Sequence, residues 1–222
     1  MRPTIPVSDL VFRPLMPERW SDFEALFGPR GACGGCWCMW WRLTRPDYDL
    51  RKGEKNRLAM QSIVRSGEAP GILAYADGQP VGWCAVGPRE RYTLLERSRI
   101  LARVDNQPVW SVVCFFVERS HRGKGVTTAL LKAAAEYVRS RGGRTIEGYP
   151  IDPRKGRTAD AFVYSGLVSA FRKAGFEEVL RRSETRPIMR LTLRRPKTAP
   201  RSNTHAAIPR SNRRKRTAPK ED

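Results

Sequence analysis

Residues 109–141 read VWSVVCFFVERSHRGKGVTTALLKAAAEYVRSR, and their reading decides the fold. Residues 112–117 are an unbroken apolar run with β-branched and aromatic side chains, the pattern of a buried strand. A short polar turn leads to Arg122-Gly123-Lys124-Gly125. A helical pattern begins at once, with Leu130, Ala133, Ala134, Tyr137 and Val138 on one face. Gly142-Gly143 ends it. A strand, a glycine turn and a helix start aim several backbone N–H groups at one spot, the positive end of a helix. Arg122 and Lys124 add positive charge there. The arrangement suits a phosphate or a pyrophosphate.

Two common phosphate loops do not fit. The Walker pattern needs a glycine five residues before a Gly-Lys-Ser/Thr, but here Glu118 and Gly125 stand at the Gly and Ser/Thr positions. The dinucleotide pattern needs three glycines, and the turn has two. The stretch resembles instead the acyl-CoA loop of the GNAT superfamily of N-acetyltransferases, Arg/Gln-x-x-Gly-x-Gly/Ala. Here it is Arg122-Gly123-Lys124-Gly125-Val126-Thr127, with Thr127 in place of the usual final Gly or Ala. The later Ala174-Gly175-Phe176 adds to the resemblance, which covers roughly residues 9–193.

Residues 10–15 read as a strand. Pro17 opens a helix with Trp20, Phe23 and Phe27 on one face, closed by Gly28. Residues 31–42 are an unusual Cys- and Trp-rich segment. A polar helix is predicted over 53–65, with Leu58, Ala59, Ser62 and Ile63 inward. Residues 71–76 and 80–86 read as strands joined by an Asp77-Gly78 hairpin turn. A long connection follows, helical over 92–102. Residues 145–150 form another strand, 151–164 a partly basic loop, and 165–174 a short helix. Residues 176–180 and 188–193 are the last strands. The order is β-α-α-β-β-β-α-β-α-β-β. It predicts an α/β fold with a mixed sheet and helices on both faces, the order expected of GNAT proteins. The resemblance implies that the fourth and fifth strands, 109–117 and 145–150, part at one end to hold the pantetheine arm.

The resemblance also implies a division of labour. Main-chain groups of Phe115, Phe116 and Val117 hold the thioester and polarise its carbonyl. Arg122, Gly123, Lys124, Gly125, Val126 and Thr127 take the pyrophosphate of acetyl-CoA, the expected cosubstrate. Many family members carry a Tyr four residues before the final Gly-Phe pair, and Phe171 stands there with no proton to give. Tyr164 is then the first candidate to protonate the departing thiolate, against a packing role. Glu147 is the candidate base: a carboxylate mid-strand is unfavourable unless it faces a cleft, and Tyr149 would share its face. Glu118 is the rival, and an ion pair with an arginine is the structural alternative for both.

Cys33, Cys36 and Cys38 make a C-x₂-C-x-C cluster without a clear fourth ligand, since His121 adjoins the cofactor loop and Cys84 and Cys114 lie in apolar strands. No metal is expected. The thiols read as small apolar groups beside Trp37, Trp40 and Trp41. Similar Cys/Trp segments occur in a subset of GNAT proteins, in the region that walls the acceptor pocket.

The chain has 222 residues and a net charge of +20. Residues 194–222 carry +8 of that and lack aromatics. They read as a disordered basic tail after a GNAT domain over 1–193. Nucleic acid is a partner only through that tail, which has no aromatics to stack on bases. Neither a membrane span nor a signal peptide is visible, and the odd number of cysteines suits reduced thiols, so the cytoplasm is the expected location. The leading reading is an N-acetyltransferase that moves an acetyl group from acetyl-CoA to an amine. A non-catalytic acyl-CoA sensor on the same fold is the alternative, with a tail-driven nucleic-acid binder third. The acceptor and the oligomeric state are not readable.

Overall fold

The computed structural model describes residues 9–153 and 160–193. The basic tail and part of the 151–164 loop lie outside them. Seven strands form one sheet: β1 (Val11–Pro14), β2 (Gly71–Ala76), β3 (Gln79–Pro88), β4 (Trp110–Val117), β5 (Thr145–Gly148), β6 (Glu177–Arg181) and β7 (Pro187–Thr192). Their order is β1-β2-β3-β4-β5-β7-β6. Only β4 and β5 run parallel. The helices are α1 (Trp20–Phe27), α2 (Arg45–Arg51), α3 (Glu54–Arg65), α4 (Thr93–Glu96), α5 (Val126–Ser140) and α6 (Val168–Lys173).

Alternation along the strands feeds two cores. Ile72, Cys84, Val112 and Ile146 face α5 and α6, meeting Leu130, Ala134, Val138 and Phe171. Leu73, Trp83, Ala85 and Ile188 face the other way, against Phe23 and Phe27 of α1 and Met60 and Val64 of α3. The sheet is thus covered on both faces, as the central apolar strands require. Asp77 and Gly78 both have positive φ, 48° and 73°, which matches the twist of the β2–β3 hairpin.

Three expectations change. Helix α3 buries Asn56, Met60 and Val64, while Leu58 is 48% exposed. The buried stripe thus lies about one residue out of phase with the expected Leu58, Ala59, Ser62 and Ile63, and it includes the polar Asn56. Its amide donates to the carbonyl of Gly35 at 3.2 Å, so it is a strut for the Cys-rich segment. The helix expected over 92–102 shrinks to α4, four residues long. Helix α2 is additional; Thr44 caps it and Pro46 sits in its first turn.

The decisive irregularity is in β4. Ala85 pairs with Cys114 but Val86 pairs with Val112, so Val113 is an extra residue. Such a bulge bends its strand and breaks the alternation. Val113 and Cys114 both turn toward the α1–α3 face. Pairing with β5 ends at the same place, with Val112 opposite Gly148. Beyond it, residues 113–117 have no partner in β5, so the two strands part as expected.

Candidate functional site

The turn after β4 is built by local bonds. Glu118 caps a short turn over Arg119–His121, accepting from the Ser120 N–H and from His121 Nδ1, each at 2.9 Å. Arg122 Nε donates to the Val117 carbonyl at 3.0 Å, folding the loop back on the strand end. Gly123 and Gly125 then take φ of 72° and 84°, where a side chain is strained. Gly125 is the N-cap of α5, and no side chain caps that helix. The first N–H groups of a helix lack intrahelical partners, so those of Val126 and Thr127 point out of the helix start. Val126 is buried and anchors the helix start, whereas residues 122–125 are exposed. Phe115 buries its ring against Phe171 at 6.1 Å between centroids, which leaves its main chain for any ligand contact. An arrangement of this kind can take up an anion.

A cavity of about 350 Å³ opens beside the parted half of β4. Cys114 and Phe116 form its floor, Trp40 and Tyr48 its outer wall, and Tyr164 closes one side. Cys36 and Cys38 complete it from the Cys-rich segment. The bulge explains the floor: with regular alternation, Cys114 would face the opposite core. A second, wider hollow of about 560 Å³ lies between α1 and α3 and is lined by residues of neither β4 nor β5. Arg57 there is paired with Glu24 and Glu54.

The wall segment is strained. Ala32, Trp37 and Cys38 have φ of 65°, 46° and 59°, three of the four non-glycine residues with positive φ among the described residues. Each costs roughly 1–3 kcal/mol and persists only where the surroundings fix it. Trp83 fixes Cys38 by donating its indole N–H to the sulfur at 3.2 Å. A hydrogen bond from the Cys114 thiol and this indole bond hold the Cys38 thiol below its usual range, against burial. The same bond to Cys38, with burial, pushes Cys114 well up. Burial pushes Cys36 up. Among the described residues no three His, Cys, Asp or Glu side chains are grouped to hold a metal. The three cysteines of the motif differ in exposure: Cys33 is exposed, Cys36 half-buried and Cys38 buried.

The candidate acid and base meet different fates. Tyr164 lies in the cavity wall; burial raises its pKa, and the nearby Arg186 charge offsets this only in part. Glu147 does not face a cleft. It is 1% exposed and sits opposite Arg190 on β7. One carboxylate oxygen accepts from Arg190 at 2.6 and 3.0 Å, and the other from the Tyr149 hydroxyl at 3.1 Å. Tyr149 does share its face, as the period-2 rule requires. What makes a strand carboxylate tolerable here is a buried ion pair, not solvent. Glu118 is occupied as a cap; hydrogen bonds from Ser120 and His121 outweigh burial and hold it below the usual carboxylate range.

The sequence reading missed the hub behind Glu147. Arg89 is fully buried and donates to Tyr149 at 2.8 Å and to the Leu101 carbonyl at 2.7 Å, and it pairs with Glu96. Nothing in Pro88-Arg-Glu-Arg distinguishes this arginine from its neighbours. The cavity role of Cys114 and Tyr48 was missed too, since one depends on the bulge and the other on α2.

Comparison with known proteins adds to this geometry. Residues 37–152 match the model of the acetyltransferase (GNAT) family. An uncharacterized N-acetyltransferase of Methanocaldococcus jannaschii is 24% identical over 131 residues, which is 59% of this chain and 49% of that protein. The match thus spans about half the length of that relative. A solved GNAT-family acetyltransferase from Listeria monocytogenes superposes with a TM-score of 0.51 at 11% identity, covering 83% of this chain and 95% of that one. One from Streptococcus agalactiae gives 0.50 at 12% identity, covering 84% and 96%. At such identities the two structures speak to the fold alone.

Proposed function

Since the chain belongs to the GNAT acetyltransferase family, we propose that it moves an acetyl group from acetyl-CoA to the nitrogen of an amine acceptor. The observation that carries this reading is the coincidence of three features at the end of β4. The strand loses its β5 partner after Val112, the two-glycine turn leads to an uncapped helix, and the cavity opens onto Cys114 and Phe116.

Residues 122–127 would hold the pyrophosphate through backbone N–H groups at the start of α5, with Arg122 and Lys124 adding charge. Main-chain groups of Phe115, Phe116 and Val117 would hold the thioester arm along the unpaired edge of β4, and an N–H there would polarise the carbonyl. Acetyl-CoA supplies the activated acyl group. The amine nitrogen bonds to the carbonyl carbon, the carbon–sulfur bond breaks, and the amine proton is lost while the thiolate takes one up. Tyr164 is the proposed proton donor. A phenol carries its proton at neutral pH, and the Arg186 guanidinium would steady the phenolate left behind against the burial that disfavours it. Glu147 is not retained as the base, because both its oxygens are engaged away from the cavity. No helix among the described residues is long and apolar enough to cross a membrane.

Calorimetry with CoA tests the reading. Gly125→Glu adds a strained side chain at φ 84° and a negative charge at the positive end of α5. A folded variant should lose at least tenfold in CoA affinity. Unchanged affinity would remove the pyrophosphate from this turn.

A further inference from the structure

We propose that the acceptor is a planar aromatic amine, uncharged at neutral pH, seated between Trp40, Tyr48 and Phe116. The inference rests on the acetyl-transfer reading and names the substrate class of that same cavity.

The walls select for shape. Trp40 and Tyr48 meet edge to face with centroids 4.9 Å apart, and Phe27 and Phe116 continue the aromatic surface at 5.4 Å. Cys36, Cys38 and Cys114 offer polarizable sulfur to a ring edge. The volume of about 350 Å³ is roughly twice that of a cavity that accepts benzene. A substituted ring fits it.

The charges select against a cation. Among the described residues, the titratable groups that line the cavity are four thiols and two phenols: Cys33, Cys36 and Cys38 from the Cys-rich segment, Tyr48 from α2, Cys114 from β4 and Tyr164, with no carboxylate or imidazole. Arg45 lies over the Trp40 ring at 4.8 Å and Lys52 over the Tyr48 ring at 5.5 Å. Asp49 on the same helix pairs with both, which leaves one excess positive charge behind the outer wall. Arg186 stands behind Tyr164. An ammonium entering here would be desolvated without a lining carboxylate among the described residues, and the two rings that could attract it already carry Arg45 and Lys52, whose like charges repel it.

The chemistry points the same way. An alkyl amine resembling the lysine side chain is neutral in only roughly one molecule in 10³ at pH 7, so it needs a base. Glu147 and Glu118 are both committed elsewhere. Tyr48, Tyr164, Cys36 and Cys114 hold their protons more tightly than usual. The Cys38 sulfur is buried and already accepts the Trp83 indole N–H at 3.2 Å. An aromatic amine arrives neutral and loses its proton only after attack, when it has become strongly acidic and water can take it.

Two isomers, 4-ethylaniline and 4-methylbenzylamine, have the same atoms and nearly the same shape. Only the second is a cation at neutral pH. Binding to the full chain is followed by quenching of tryptophan emission, and turnover with acetyl-CoA by thiol release. The neutral isomer should bind at least 10²-fold more tightly at about pH 7. Its KM should stay flat with pH, while that of 4-methylbenzylamine falls about tenfold per unit as the neutral amine becomes populated. Trp40→Ala, or Tyr48→Leu as a second variant, should weaken 4-ethylaniline at least tenfold and leave acetyl-CoA affinity unchanged. Equal binding of the isomers, preference for the cation, or no binding of either overturns the proposal, as does insensitivity to both variants. If acetyl-CoA does not bind in calorimetry, the acetyl-transfer reading falls instead, and the amine binding still judges the cavity.

Discussion

Glu147→Gln decides whether this carboxylate builds the protein or performs its chemistry. The change keeps the side chain's shape and removes its charge. Glu147 and Arg89 have side chains 1% exposed, and Arg190 13%. Removing one partner of a buried ion pair costs about 3–5 kcal/mol, because the other charge stays buried without compensation. Here the loss is tempered. Arg190 keeps Asp105 at 2.7 Å and Arg89 keeps Glu96, so the low end, about 3 kcal/mol, applies. For a domain of this size that lowers Tm by about 6–12 °C. A domain with about 5–15 kcal/mol in total stays folded at room temperature. The assay pairs thermal and urea unfolding with turnover by the folded variant. Stability should fall while kcat changes less than about threefold, far below the 10²–10⁴-fold of a lost general base. Glu147→Gln combined with Arg190→Met should recover part of the loss, since a matched apolar replacement leaves fewer orphaned charges. An unshifted Tm with a 10²-fold or greater fall in kcat would refute the reasoning and return Glu147 to the reaction.

Tyr164→Phe keeps the ring and removes the proton; kcat should fall about 10²–10⁴-fold with acetyl-CoA affinity unchanged, and a fall below threefold makes Tyr164 a packing residue. Gly148→Ala puts a Cβ 2.0 Å from the Phe171 ring, which must shift; urea unfolding should show a loss of about 1–3 kcal/mol, and wild-type stability would mean that β5 and α6 are less tightly packed. Burial raises the pKa of the Cys84 thiol and the Tyr92 and Tyr149 phenols, and the Cys38 sulfur together with burial raises that of Cys114, so their protonated forms are favoured in the folded state. Their contribution is complete below the unfolded thiol pKa of about 8.5 and is lost as pH rises through that value and the phenol range near about 10; urea melts across that window should show declining stability, and a flat profile counts against this burial.

The strands and their order were legible because each announces itself over a short span. Residues 112–117 are uniformly apolar, Asp77-Gly78 permits only a tight turn, and Gly123 and Gly125 sit where the backbone takes positive φ. The α3 face was not legible, because a hydrophobic stripe was sought and Asn56 is buried for its hydrogen bond to Gly35. The hub of Arg89, Glu147 and Arg190 joins residues up to 101 positions apart, and no local pattern marks a charge that will find its partner across the sheet. Glu147 looked anomalous in a strand, which was correct; the sequence could not say whether a cleft or an arginine resolves the anomaly.

The cavity was the least legible part for a specific reason. Simple alternation along β4 puts Cys114 and Phe116 on one face and Val113 and Phe115 on the other. The structure keeps Phe115 and Phe116 apart but turns Val113 and Cys114 to the same side. One inserted residue therefore does two things. It ends the pairing with β5, which opens the slot for an extended ligand, and it delivers a thiol to the floor of the cavity beside that slot. The strained Cys-rich segment complements this second effect, since Cys38 takes its positive φ where its sulfur meets the Cys114 thiol and the Trp83 indole. The C-x₂-C-x-C spacing thus has a meaning that metal binding does not exhaust. Cys36 and Cys38 are placed to close an apolar wall over a bulge that the sequence of β4 does not announce.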